Sequence, residues 1–435
     1  MPYRKSVFTL LGCLLVCLGA SFSALTWSNQ TVTCTQTAQV TLPTIEWNAT
    51  FGLGYYNAAY QIIQTQDGGY AVSGMYGSQG SRLNCALAKY DANGNLLWNH
   101  SYDMRFFNIP TTGLLQTDDG GYAIVGNRDI EVTLAFIKTD SEGIPLWNKT
   151  YPGINCIAWG LIQAHDGGYL ISGGQGDGKG VFVKIDASGK IQWSKTYEMN
   201  GFHRAVQADD GNYVTLGAGR LIKIDTAGNI LWNKSIPAVL PNDPEHYLYS
   251  INYVEEMIKA TDGGYVLLAR AVNEDKNRTE TRLPLIIKTD ATGTIEWNKT
   301  YGKTGEIWPY SIIQTDDGGY AFAGTTSSDM ILIKTDKNGN ELWNQTFDNN
   351  QNDEVAFSVI QTSDGGFAIA GKTKDPQVYS SGYFYIVKTN SGALIAQTDD
   401  LLPPVAIAGV VIVVLVIVGI LFIGLKRKQN NINSV

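Results

Sequence analysis

Apolar positions in this chain come in short runs, often alternating with polar ones, and each run is cut by glycine, aspartate or asparagine. In Ser311 to Phe347, SIIQTDDGGYAFAGTTSSDMILIKTDKNGNELWNQTF, four such runs are separated by two tight turn signals and one longer connection. Runs of this length bounded by turn residues predict strands, and four in succession predict one antiparallel sheet. The pattern then repeats. Its Asp-Gly-Gly-aromatic turn stands at Asp67, Asp119, Asp166, Asp262, Asp317 and Asp364, with a variant at Asp210-Gly211-Asn212-Tyr213. These seven copies lie 44 to 55 residues apart, the period of one four-stranded propeller blade.

In the first full repeat, Tyr60 to Thr65 predicts a strand, Gln66 to Gly69 a tight turn, Tyr70 to Met75 the returning strand, and Ala86 to Tyr90 and Leu96 to Tyr102 a second hairpin around Asp91-Ala92-Asn93-Gly94. Glycine tolerates the positive φ that both central turn positions are expected to need, and the Asp side chain can bond the backbone two residues on. The fourth strand carries a tryptophan at a fixed place: Trp98, Trp147, Trp193, Trp232, Trp297 and Trp343. A ring there in every outer strand predicts a wedge between neighbouring sheets. The last repeat ends Gly392-Ala393-Leu394-Ile395-Ala396 without one, whereas Trp47 precedes every repeat. The strand Ile45 to Phe51 is therefore expected to complete the last blade and close the ring, removing exposed sheet edges. The fold class predicted is all-β, a seven-bladed propeller over residues 45–398.

The run Lys-Thr-Asp-x-x-Gly-x-x-x-Trp, as in Lys138-Thr139-Asp140 through Gly143 to Trp147, resembles the tryptophan-docking repeat of quinoprotein-like propellers. With Asp-Gly-Gly-Tyr and Trp-Asn-Lys-Thr-Tyr it is also similar to repeat proteins of archaeal and bacterial cell surfaces. The resemblance implies the fold. Quinoprotein dehydrogenases hold their cofactor on a vicinal cysteine pair and a metal site, and no two cysteines are adjacent here.

The two ends give an address. Arg4 and Lys5, an apolar run from Val7 to Gly19, and Ala20, Ser21 and Ser23 have the layout of a signal peptide, residues 1–23. Leu10-Leu11-Gly12-Cys13 mimics a lipid-attachment site, but its apolar core is too short for export. A short segment, 24–44, leads into the propeller. After a linker at 399–404, Val405 to Leu425 is uncharged and long enough to cross a hydrocarbon core of about 30 Å as a helix. Lys426, Arg427 and Lys428 follow, which predicts that the tail 426–435 is cytoplasmic and the repeats are outside. A net charge of -8 excludes nucleic acid, which needs a basic stripe. The expected partners are the membrane and a glycan or surface protein.

Candidate chemistry is sparse. Three cysteines, Cys34, Cys85 and Cys156, remain after the leader, enough for one disulfide and in no zinc or redox spacing. Seven residues before each turn Asp stand Tyr60, Thr112, Trp159, His203, Glu255, Tyr310 and Phe357, at the start of the innermost strand. They should gather at the mouth of the central channel, where Tyr60, Trp159, His203, Tyr310 and Phe357 could stack on a sugar or planar ligand or simply pack between blades. Three residues before the Asp come Gln64, Gln116, Gln163, Gln207, Gln314 and Gln361, with Lys259 as the exception, a set suited to bonding backbone between blades. The acidic turns, such as Asp118-Asp119-Gly120-Gly121, offer oxygens to calcium, but a calcium site needs about six to eight. Turn chemistry accounts for them, and no cofactor or metal is expected. The glycine run Gly173 to Gly180 has no following helix to bind phosphate. Sequons at Asn29, Asn48, Asn99, Asn148, Asn233, Asn277, Asn298 and Asn344 mark candidate N-glycosylation sites, most directly after the docking Trp.

Both tight turns of a blade must lie on one face, so the opposite face receives the variable connections: Tyr76 to Asn84, Gly174 to Lys179, Ile236 to Tyr249 and Arg270 to Leu283. Insertions collected on one face suit a binding surface. The expected function is a membrane-anchored surface module that binds a glycan or protein partner without catalysis. The alternative is a propeller enzyme, a quinoprotein-like oxidoreductase or a polysaccharide-acting enzyme, with Glu245, His246, Glu255 and Glu274 as its candidate loop residues.

Overall fold

The computed structural model describes residues 38–52, 56–77, 83–104, 113–128, 133–199, 201–217, 219–237, 247–248, 254–274, 280–302, 307–348, 353–375 and 378–396. The leader at 1–23, the apolar segment 405–425, Cys34, Thr112, Glu245, His246, Asn29 and Asn277 lie outside them. No helix among the described residues is long and apolar enough to cross a membrane. The chain divides into two compact units. In the smaller one, the described part is an antiparallel ribbon of Ala38–Thr41 and Ala393–Ala396. The larger one, Leu42–Gly392, is a seven-bladed β-propeller of antiparallel sheets.

The innermost strands of blades 1 to 7 are Tyr56–Gln64, Gly113–Gln116, Ile157–Gln163, Val206–Gln207, Val254–Lys259, Trp308–Gln314 and Glu354–Gln361. Each is followed by two buried strands and an outer one in which exposed and partly buried residues alternate, as in Ile191–Tyr197. In blade 7 the outer strand is Ile45–Phe51, antiparallel to Val378–Thr389 with Trp47 opposite Lys388. The expected closure by the N-terminal strand is therefore present. Blade 5 departs from the expectation. The stretch Arg270 to Leu283, read as a loop, continues the strands Tyr265–Glu274 and Glu280–Thr289 as a long hairpin, and Tyr247–Leu248 pairs with its first arm as a fifth strand. The sequence from Asn273 to Arg282 is polar, and backbone ladder bonds form without an apolar pattern.

The repeated turns show why the motif has two glycines, and correct one expectation. Only the first takes positive φ, 78 to 85° from Gly68 to Gly365. The second is needed for space: a Cβ on Gly69, Gly121, Gly168, Gly264, Gly319 or Gly366 would sit 2.0 to 2.3 Å from a carbonyl oxygen of the third strand. Beside that carbonyl lies a buried lysine. Lys89, Lys138, Lys184, Lys223, Lys288, Lys334 and Lys388 each reach from the third strand to the turn carboxylate, at 2.6 to 2.9 Å from Asp67, Asp119, Asp166, Asp210, Asp262, Asp317 and Asp364. A lysine buried this deeply is tolerated only because it is paired and hydrogen-bonded. The pair joins the blade's first turn to its second and fixes both on one face. In blade 4, Asn212 replaces the second glycine, and Lys223 there is the most exposed of the seven, at 12%.

Neighbouring blades are joined by the tryptophans. Each indole lies over the next blade's second turn, on a glycine at φ 76 to 81°: Trp47 on Gly94, Trp98 on Gly143, Trp147 on Gly189, Trp193 on Gly228, Trp232 on Gly293 and Trp297 on Gly339. A Cβ on those glycines would come within 2.5 to 3.2 Å of the ring. Trp343 packs edge-on against Phe367. Trp47 Nε1 donates to the Ala92 carbonyl and Trp193 Nε1 to that of Thr226. Four residues on, the hydroxyls of Tyr102, Tyr151, Tyr197 and Tyr301 donate to the carbonyl of the same glycine.

Candidate functional site: the central channel and its mouth

In five innermost strands the ladder slips by one residue at the position seven before the turn Asp, between Ala59 and Gln61, Ala158 and Gly160, Val254 and Glu256, Pro309 and Ser311, and Ala356 and Ser358. The residue passed over is Tyr60, Trp159, Glu255, Tyr310 or Phe357. Each is thus the extra residue of a β-bulge, a device that re-aims a side chain. Phe357 meets Tyr60 at 5.0 Å and Tyr310 at 5.2 Å between ring centroids, so blades 6, 7 and 1 share one aromatic cluster. Trp159 and His203 form a separate, looser pair at 6.2 Å. Burial alone pushes the His203 imidazole down to about 4, so it is neutral at physiological pH. Glu255 is held by Arg270 at 2.8 Å, and the Arg270 guanidinium lies 4.5 Å over the Trp308 ring. Burial pushes the Glu255 carboxyl up, with Arg270 opposing it. Arg270 and Trp308 were missed in the sequence because they sit outside the repeated position.

Deeper in the channel the same strands form three further layers. Six residues before the Asp, side chains of one blade bond the backbone of the next. Gln61 exchanges two hydrogen bonds with Leu114, the Glu256 carboxylate accepts from Ile312 N at 2.8 Å, and the Ser311 and Ser358 hydroxyls accept from Val359 N and Ile62 N. At blades 2 and 3 the position is Gly113 or Gly160, where a Cβ would strike Leu161 or Arg204. Four before the Asp stand Ile63, Leu115, Ile162, Val206, Ile258, Ile313 and Ile360, all partly exposed and all aliphatic. Three before it is the amide ring. The side-chain oxygens of Gln116, Gln207, Gln314, Gln361 and Gln64 accept from Gln66, His165, Thr261, Asp316 and Ser363 of the preceding blade. Lys259 makes an ion pair with Asp209 in the same relation. These five amides are stitches between blades, and Gln64 with Ser363 closes the circle; no such bond is seen for Gln163 among the described residues.

These layers enclose a cavity of about 420 Å³ that runs from the level of Gln61, Arg204, Glu256, Ser311 and Ser358 toward the tight turns. None of the bulged rings lines it. The channel cavity and the aromatic mouth are therefore two different sites.

The turn carboxylates are already engaged. Asp67, for example, accepts from Thr65, Lys89 and Gly69, and a cation would have to displace those protons. A group of acids not singled out in the sequence, Asp329, Asp348 and Glu354, brings oxygens within 4.8 Å of one another; Glu354 also accepts from the Thr373 hydroxyl. The quinone cofactor of the resembling dehydrogenases does not fit. Cys85, in the strand Asn84–Tyr90, and Cys156, between the strands Pro145–Asn155 and Ile157–Gln163, are free and wholly buried in separate apolar clusters, so they offer no paired sulfur platform at the channel.

The family model described as outer membrane protein assembly factor BamB matches residues 84–241 and 178–422. The chain belongs to that family. No curated protein matches the chain. Solved structures that this BamB-family propeller resembles include a protein of unknown function from Bacteroides caccae, 12% identical, with a TM-score of 0.37 and 61% of this chain and 90% of that chain covered. The Pan2 WD40 domain of Neurospora crassa is 10% identical, with a TM-score of 0.47 and coverage of 77% and 97%. The polysaccharide lyase Uly1 is 10% identical, with a TM-score of 0.49 and coverage of 80% and 99%. Likenesses this distant carry no argument about activity.

Proposed function

We propose that this is a single-pass surface protein whose propeller lies outside the membrane and binds a glycan or a protein partner through its variable face. The observation that carries the reading is the set of five β-bulges at one repeat position. Bulges interrupt pairing at a cost to the ladder, and their recurrence at one end of the channel suits the presentation of Trp159, Glu255, Tyr310 and Phe357 to a ligand, with Tyr60 buried behind Phe357. Tyrosine and phenylalanine clusters with Arg270 over Trp308 beside them supply stacking area and a polar edge. Glu255 is committed to Arg270, which favours binding over acid–base work. The matching family is described by an assembly factor, a name that speaks of association and not of a reaction. The signal-peptide layout, the apolar run and the basic tail expected from the sequence support the surface address.

The test is a screen of the purified full chain against glycans and surface proteins, with parallel assays for turnover of sugar and quinone-dependent substrates. Saturable binding without turnover is expected. Turnover would overturn the binding reading in favour of the enzyme alternative.

A further inference from the structure

The channel cavity contains charges that the ring does not need. At the other blade junctions of its polar level, neighbours are joined by hydrogen bonds or by the close approach that glycine permits. Between blades 4 and 5 the corresponding groups are Arg204 and Glu256, with Nη1 and Oε1 3.7 Å apart, too far for a hydrogen bond. Among the described residues the Arg204 guanidinium has no other partner, and its side chain is 37% exposed while lining the cavity. Glu256 uses Oε2 on Ile312 N, also accepts from the Ser311 hydroxyl, and turns Oε1 toward the arginine. Ile63, Ile162, Ile258, Ile313 and Ile360 line the wall next to this pair.

We propose that the cavity binds a zwitterionic amino acid with an apolar side chain. Its carboxylate would accept from Arg204, its ammonium would donate to Glu256 Oε1, and its side chain would lie against the aliphatic collar. A simple carboxylate would leave its charge facing Glu256, and a simple amine would face Arg204. A ligand that carries both charges on one carbon satisfies both, since a charge facing its like in the cavity is disfavoured. An apolar side chain suits the isoleucine collar next to the pair, whereas the polar lining of Gln163, His165, Gln207 and Lys259 lies further along the cavity toward the tight turns. The cavity volume of about 420 Å³ lies in the range of small-ligand sites. The site is separate from the aromatic mouth and does not rest on the binding function proposed there.

Calorimetric titration of the full chain with L-leucine, 4-methylpentanoate, 3-methylbutylamine and glycine tests this on the unaltered protein. Leucine is expected to bind saturably, and each analogue to bind at least about tenfold more weakly, because each forfeits a charge-assisted bond or the apolar contact. The substitution Glu256→Gln should abolish the preference for leucine over 4-methylpentanoate. Absence of leucine binding at millimolar concentration, or equal binding of leucine and its singly charged analogues, would overturn the proposal even if a channel variant failed to fold.

Discussion

At the scale of single residues, the paired glycines do different work, and substitutions should separate them. Gly68 has φ +81° and open space around it, whereas a Cβ at Gly69 would lie 2.3 Å from the Tyr90 carbonyl and 2.5 Å from Lys89 Nζ. We expect Gly68→Ala to cost roughly 1 kcal/mol, from the left-handed backbone alone. Gly69→Ala should cost about 2–3 kcal/mol, because backbone must move; urea midpoints would rank the two. The sequence showed two glycines and a turn, but the lysine above them lies 22 residues away in Lys89 and Asp67, beyond what a turn motif reveals. That pair also sets the response to acid. Burial pushes the Asp67, Asp119 and Asp364 carboxyls up, but their hydrogen bonds outweigh it and hold them at about 2, against 3.8 ordinarily. Their contribution is complete above the ordinary value and is lost as pH falls through about 2. His203, at about 4 instead of 6.5, contributes fully above 6.5 and loses its contribution as pH falls toward 4. Melting temperature should therefore decline in two stages, and His203→Phe should remove only the first. A single-stage profile unaffected by that change would contradict the assignment.

At the scale of elements, the strand Ile45–Phe51 was legible because the Trp repeat left one place unfilled and one tryptophan unplaced. The ion pair of Glu46 with Lys388 at 2.7 Å and the contact of Trp47 with Tyr70 at 5.4 Å join it to blades 7 and 1. Deleting residues 42–51 should destabilise the whole ring cooperatively, since it leaves an open blade and an unpaired edge. Trp47→Ala should cost about 3 kcal/mol, at the low end for large aromatics because the ring is half-buried, and Trp193→Ala should cost a similar amount. Denaturant midpoints decide this, and an unchanged midpoint on deletion would place closure elsewhere. The bulges were not legible: a strand with one extra residue keeps its composition, and only the partner's register reveals the slip. The blade 5 hairpin was hidden for a related reason, since Asn273 to Arg282 is polar and its pairing needs no apolar pattern. The amide ring was legible as a stitch because its spacing from the turn is constant.

At the scale of the molecule, the two faces of the disc differ. One carries the repeated turns and their ion pairs, and the other the connections that vary between blades. The sequons at Asn48, Asn148, Asn233 and Asn344 are exposed on outer strands, whereas Asn99 and Asn298 are half-buried. If the protein is exported as proposed, mass spectrometry of the native chain should find glycans on the exposed group before the half-buried one. Protease added to intact cells should remove the propeller and spare the basic tail; protection of the propeller would reverse the proposed orientation. The most direct test of the central claim is the dissociation constant of a ligand recovered by the surface screen, measured for the wild-type chain and for Tyr310→Ala and Phe357→Ala. The account predicts roughly tenfold or greater weakening in both variants, with the propeller still folded by circular dichroism. Unchanged affinity in both would contradict it and transfer the binding role away from the bulged mouth.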